Sequence, residues 1–133
     1  MLVVVDTNVL VSALINSAGV PARIVDEIRA QTLRPAVTGQ ILAEYREVLA
    51  RARFGFSPIQ VKSLLDDLAA LAQHLQTQHL DATNLPDPDD APFIAVALAT
   101  ACPIVTGNGR DFPPECGAEI LTPAQCLSRL FRE

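Results

Sequence analysis

The chain has 133 residues, half of them apolar, with 15 acidic against 10 basic side chains and a net charge of −5; that suffices for one globular domain over residues 1–133. The acidic balance lacks the basic footprint of a typical nucleic-acid binder, unless many carboxylates surround bound cations that reverse the local field. No apolar run reaches the about 18 residues of a membrane span, the start MLVVVDTNVL has no basic leader or cleavage site, and three cysteines without a CxxC pair argue against a disulfide framework or a zinc knuckle, so a cytoplasmic protein with no membrane association is expected.

Residues 2–5, LVVV, read as a fully buried parallel strand ending in Asp6. Helical spacing follows through Val9, Leu10, Ala13 and Leu14, and a second helix is predicted over 20–33 with Pro21 in its first turn. A short strand, PAVT, precedes a helix whose stripe runs through Ile41, Leu42, Tyr45, Val48, Leu49 and Ala52 and ends at Phe54-Gly55-Phe56. Ser57-Pro58 opens another helix, predicted to run to about His74. Residues 77–88 read as an irregular connection, and a helix is predicted from about Pro92 to Ala101. The strand PIVTG, the loop GNGRDFPPECG, a strand near AEIL and a helix from Thr122-Pro123 complete the chain. Strands alternating with helices imply an α/β fold in three layers, α/β/α, with a mostly parallel central sheet flanked by helices.

Ligands of open parallel sheets bind beyond the carboxyl ends of the strands. Asp6 follows the first strand; Asn108 and Asp111 follow the PIVT strand, at the same edge. At about 100° per residue Glu44 lies on the flank of its helix's apolar stripe, whereas Glu47 points away. In DPDDAPF the same projection turns Asp90 inward and leaves Asp89 about 100° off the stripe. Each acid has a structural alternative. Asp6, Asp89 or Asp90 can be N-caps, Asp87 a turn residue, and Glu44 the partner of Arg46 or Arg51.

Burying a lone carboxylate costs more than a folding margin, so several together need a cation. The histidines, His74 and His79, stand apart from these acids in the reading above, and oxygen-only coordination suits Mg²⁺ or Mn²⁺ rather than zinc. Such a site fits phosphodiester hydrolysis. Arg110, beside Asp111, is the one cation near the site that could touch a substrate phosphate, its alternative being a surface ion pair.

The segments VVVDTNVLVSAL, TGQILAEYREVL, DPDDAPFIAVALA and IVTGNGRDF stand in the order and spacing of PIN domains. The chain resembles in particular the bacterial and archaeal group of toxin components of toxin–antitoxin pairs related to VapC. The resemblance implies an RNA-cleaving nuclease whose three or four acids hold Mg²⁺ or Mn²⁺, a cognate antitoxin and a homodimer. It matches Asp6 to the acid after the first strand, Glu44 to the helix glutamate and Asp90, with Asp89 as its rival, to the third acid. Where the family often has an aspartate two residues after its threonine this chain has Asn108, so Asp111 would supply the fourth acid. Thr7, Asn8, Ser12 and Thr106 match polar positions that support the acids or the scissile phosphate. The alternatives are a PIN nuclease outside a toxin pair, acting on DNA or in RNA processing; an inactive PIN-like binding module; and a phosphotransfer fold using Asp6, against which Asn8 stands where a second aspartate is needed.

Overall fold

A computed structural model describes residues 1–77 and 85–132. At its centre is β1 (Leu2–Val5), flanked on one side by β2 (Arg34–Val37) and β3 (Gln73–His74), and on the other by β4 (Ile104–Val105) and β5 (Ile120–Leu121). All four pairings are parallel, in the order β3-β2-β1-β4-β5. Val3, Val4 and Val5 point alternately to opposite faces and all are fully buried. A strand buried on both faces needs helices on both, which gives the three-layer α/β/α fold.

Among the described residues six helices provide that cover: α1 (Thr7–Ile15), α2 (Val20–Arg29), α3 (Gly39–Leu49), α4 (Pro58–Leu71), α5 (Ala91–Thr100) and α6 (Pro123–Leu130). Three begin at side-chain caps that satisfy otherwise unpaired amides. Thr38 accepts from the Ile41 amide, Ser57 from Gln60, and Thr122 forms a capping box with Gln125.

Several boundaries differ from those expected. The second helix stops at Arg29 rather than running to residue 33, because Gln31 turns left-handed at φ 65° and Leu33 leads into β2. The helix α3 ends at Leu49, and a separate 3-10 turn, Ala52–Phe54, closes on Gly55 at φ 61°. The helix from Ser57 ends at Leu71, not His74, since Gln73 and His74 form the exposed edge strand β3. The sheet is wholly rather than mostly parallel among the described strands. Of the irregular connection expected over 77–88, residues 78–84, with His79, lie outside the described residues. Its end, Pro88–Asp90, is a 3-10 turn running into α5.

From β1 the chain winds outward to β2 and β3, then returns to build β4 and β5 on the other side. The order therefore reverses between β1 and β4. A crevice at such a switch point, outside the carboxyl ends of the strands, is where open α/β sheets bind ligands.

Candidate active site

Asp6 lies at this switch point. Its amide donates to the Val105 carbonyl at 2.9 Å, which fixes it beside Thr106 at the end of β4. The Thr106 hydroxyl donates to Asp6 Oδ2 at 2.8 Å and accepts from Asn8 Nδ2 at 3.2 Å and from the Asn108 amide at 3.0 Å. With its donor and both acceptor sites engaged, that hydroxyl has one orientation. Asn8 Oδ1 in turn accepts from the Gly107 amide at 3.1 Å, tying the first turn of α1 to the loop after β4. Asp6 occupies the cap position of α1 yet makes no side-chain cap bond. Its carboxylate faces the crevice network instead.

Glu44 reaches the same crevice from α3. Its neighbour Tyr45 is fully buried and donates its hydroxyl to the Val5 carbonyl at 2.5 Å, one residue before Asp6. The Tyr45 ring also packs on Phe93 of α5, with centroids 6.2 Å apart. One side chain thus locks β1, α3 and α5 in the arrangement that groups their acids. Sequence reasoning placed Tyr45 only in the apolar stripe. The signal was there, because a buried phenol needs a partner for its hydroxyl. Glu44 Oε2 accepts from the Thr7 hydroxyl at 2.5 Å, and among the described residues neither Arg46 nor Arg51 pairs with it; Arg51 is bonded to Glu47.

Asp90 starts α5 and is 6% exposed, while Asp89 is exposed. Asp90 also makes no cap bond, and its Oδ2 is buried without any hydrogen-bond partner among the described residues. The turn residue Asp87 takes the local structural role by accepting from the Asp89 amide at 3.0 Å. Asp111 is half-buried in the 3-10 turn Gly109–Asp111 and accepts from Asn108 Nδ2 at 2.9 Å, so Asn108 supports Asp111 instead of replacing it. Arg110 is exposed with no ion pair among the described residues. Ser12 is exposed one turn beyond Asn8. His74 Nε2 is bonded to the Ala69 carbonyl on the edge strand, two strands from β1.

The electrostatics confirm that these acids share one field. Burial pushes the Asp90 carboxyl up to about 8, with further upward contributions from Asp6, Asp87, Asp111 and Glu44. Asp6 is raised by burial and by Asp111 and Asp87, against the lowering hydrogen bonds of Thr106 and of the Thr7 amide. Glu44 is raised by burial and by Asp6, Asp89 and Asp87, against the Thr7 bond. No basic side chain figures among these influences. Asp87 had been read as a turn residue only, yet it acts on all three.

Carboxylates that raise one another without a basic partner, one of them with an orphaned buried oxygen, fit a hard divalent cation in donor type and in charge. No three described His, Cys, Asp or Glu side chains are already gathered at metal-holding distances. Mutual repulsion opposes such an approach until a cation offsets it.

The PIN-domain family model matches residues 2–110. The chain belongs to the PIN-domain family. The match runs from β1 through Asp6, Glu44 and Asp90 and stops one residue before Asp111. PIN domains are in general nucleases and typically use divalent metals. Among solved structures, a chain of VapBC-1 from nontypeable Haemophilus influenzae is similar in fold, with a TM-score of 0.59 at 17% identity over 93% of this chain and 99% of that one. No curated protein matches.

Proposed function

We propose that this PIN domain is a divalent-metal-dependent endoribonuclease that hydrolyses RNA phosphodiester bonds in the cytoplasm, as the toxin of a toxin–antitoxin pair. The observation that carries the reading is the buried, unpaired oxygen of Asp90 inside a field of Asp6, Glu44, Asp87 and Asp111. The fold likeness to a chain of VapBC-1 supports a cognate antitoxin as partner, and a homodimer is the assembly proposed with it.

Asp6, Glu44, Asp90 and Asp111 would hold Mg²⁺ or Mn²⁺. When bound, such an ion lowers the pKa of its water and offsets charge on the phosphate. Thr106, aligned by Asn8 and by the Asn108 amide, holds Asp6 Oδ2 in place. Thr7 holds Glu44, and Asn108 holds Asp111. Arg110, on the turn beside Asp111, is placed to attract a substrate phosphate. Asp89 and Ser12 lie outside this network, Asp89 adding negative charge near Glu44.

The test is cleavage of labelled single-stranded and structured RNA with Mn²⁺. The wild type cuts, and Asp6→Asn and Asp90→Asn do not; cleavage persisting in both purified variants removes the proposal. A second reading, an inactive PIN-like module, takes over if the purified protein binds no Mn²⁺ at millimolar metal. Cleavage of DNA alone, or expression without growth arrest, would instead place the chain among PIN nucleases outside toxin pairs.

A further inference from the structure

Four of the ten basic residues, Arg46, Arg51, Arg53 and Lys62, fall within residues 46–62, where Glu47 is the one acid. This stretch carries net +3 in a chain of net −5, so the remainder carries −8. It forms the end of α3, the 3-10 turn and the start of α4, which enclose a groove of about 510 Å³ lined by Leu42, Leu49, Phe56, Val61 and Leu65, with three cations, Arg46, Arg51 and Lys62, and one acid, Asp66, at its polar positions.

Two of the cations are held only in exposed pairs, Arg51 with Glu47 and Lys62 with Asp66. Such pairs are weak and exchange readily for other anions. Arg46 and Arg53 have no carboxylate partner among the described residues. Arg53 lies over the Phe54 ring, 4.8 Å from its centroid, and Phe54 stacks on Phe56 at 5.2 Å with planes 9° apart. Arg53 thus contacts Phe54 and Phe54 contacts Phe56, and of these three Phe56 lines the groove while Arg53 and Phe54 adjoin it. Cationic side chains around stacked aromatic faces are the general means of holding single-stranded nucleic acid without reading its sequence.

We infer that this α3–α4 groove is an anchoring site for single-stranded RNA flanking the scissile position, with phosphates on Arg46 and Arg53 and a base extending the Phe54–Phe56 stack. The inference rests on the nuclease reading for the purpose of the anchor, but its own observations lie outside the acidic crevice. By helical projection Glu44 and the groove residues Leu42 and Arg46 occupy opposite flanks of α3. A strand joining them crosses the outer face of that helix, an arc of roughly 14–17 Å on a cylinder about 10–12 Å across. The side chains there are Gln40, Ala43, Glu47 and Ala50, all exposed, and Arg51 already offsets the charge of Glu47. The acidic balance of the whole chain thus conceals a basic segment on the same helix as a site acid.

The experiment is fluorescence anisotropy of a labelled 12-nucleotide single-stranded RNA in EDTA at 50 mM salt, so that binding is read without cleavage. Wild type binds with an affinity that falls as salt rises. In Arg46→Ala/Arg53→Ala the Kd rises at least tenfold and the salt slope flattens by about 0.7 per arginine. Phe54→Leu keeps the apolar bulk but not the ring, and weakens binding about tenfold at an unchanged melting temperature. Wild-type affinity and slope in the double arginine variant overturn the inference. So does a wild type that ignores RNA but binds an acidic helical peptide through the same arginines, which would make the groove a protein site. Mn²⁺-dependent cleavage is measured in parallel. If cleavage is absent while arginine-dependent binding holds, the nuclease reading fails and the anchor stands. If cleavage occurs with an unchanged KM in the double arginine variant, the anchor fails and the nuclease reading stands.

Discussion

Five helix starts in this molecule place a capping-type residue at the same local position, and they divide into two groups. At α3, α4 and α6 the side chains of Thr38, Ser57 and Thr122 turn back onto their own amides. At α1 and α5 the aspartates Asp6 and Asp90 do not. Both are buried, both lie at the crevice, and both are held above the ordinary carboxylate range by burial. A residue suited to capping that leaves its cap bond unmade, and is buried as a carboxyl group instead, is kept at a cost to folding. The difference separates residues that build the fold from residues that use it.

Substitution should separate the groups in opposite senses. Losing a supporting group around a metal costs about 10–100-fold, so Asp6→Asn and Asp90→Asn, which remove proposed ligands, should lower cleavage by more than about 100-fold. Their metal-free melting temperatures should hold or rise, as a fluorimetric melt would show. A large activity loss matched by unfolding would erase the distinction. Thr106→Val should fall between the groups. It frees Asp6 Oδ2 and strands the donors of Asn8 and Asn108, for a roughly 10–100-fold loss of activity and about 1–2 kcal/mol of stability.

Acid pH sharpens the comparison without mutation. The Asp90 carboxyl is pushed up to about 8 in the folded protein, from an ordinary value of 3.8, so between those values the folded state binds more protons than the unfolded chain. Stability of the metal-free protein is fully present below about pH 4 as far as this group is concerned, and declines as pH rises through 8. Other carboxylates act oppositely at the acid end, so the clean measurement is the difference between wild type and Asp90→Asn from pH 5 to 8. Wild type should lose stability relative to the variant across that window; parallel curves would deny the shift. The smallest effect belongs to the capping group. Thr122→Ala should cost about 1 kcal/mol, roughly 3–5 °C, with cleavage unchanged.

Legibility in the sequence followed the same division. The buried runs LVVV and PIVT, the amphipathic stripe of α3 and the Ser57-Pro58 start were readable because apolar period and cap chemistry are local signals. The strand β3 was not, because Gln73 and His74 are two exposed polar residues at a sheet edge. The stop of α2 was hidden by Gln31, a non-glycine in left-handed backbone. At the crevice, helical projection placed Glu44 and Asp90 on inward-facing flanks, but no local pattern shows that Tyr45 grips the Val5 carbonyl or that Asp87 shares the field of Asp90. Those depend on contacts between elements 40 or more residues apart in one case and on a turn meeting the sheet edge in the other.

The most direct test is Mn²⁺ calorimetry on the purified protein at pH 7 in buffers of different ionisation enthalpy. A proton held on Asp90 must leave when a cation binds, so wild type should bind Mn²⁺ with net proton release. Asp90→Asn should bind more weakly and release less. No binding at millimolar Mn²⁺, or identical binding and proton release in the variant, would contradict the claim that the uncapped aspartates at this crevice form a metal site.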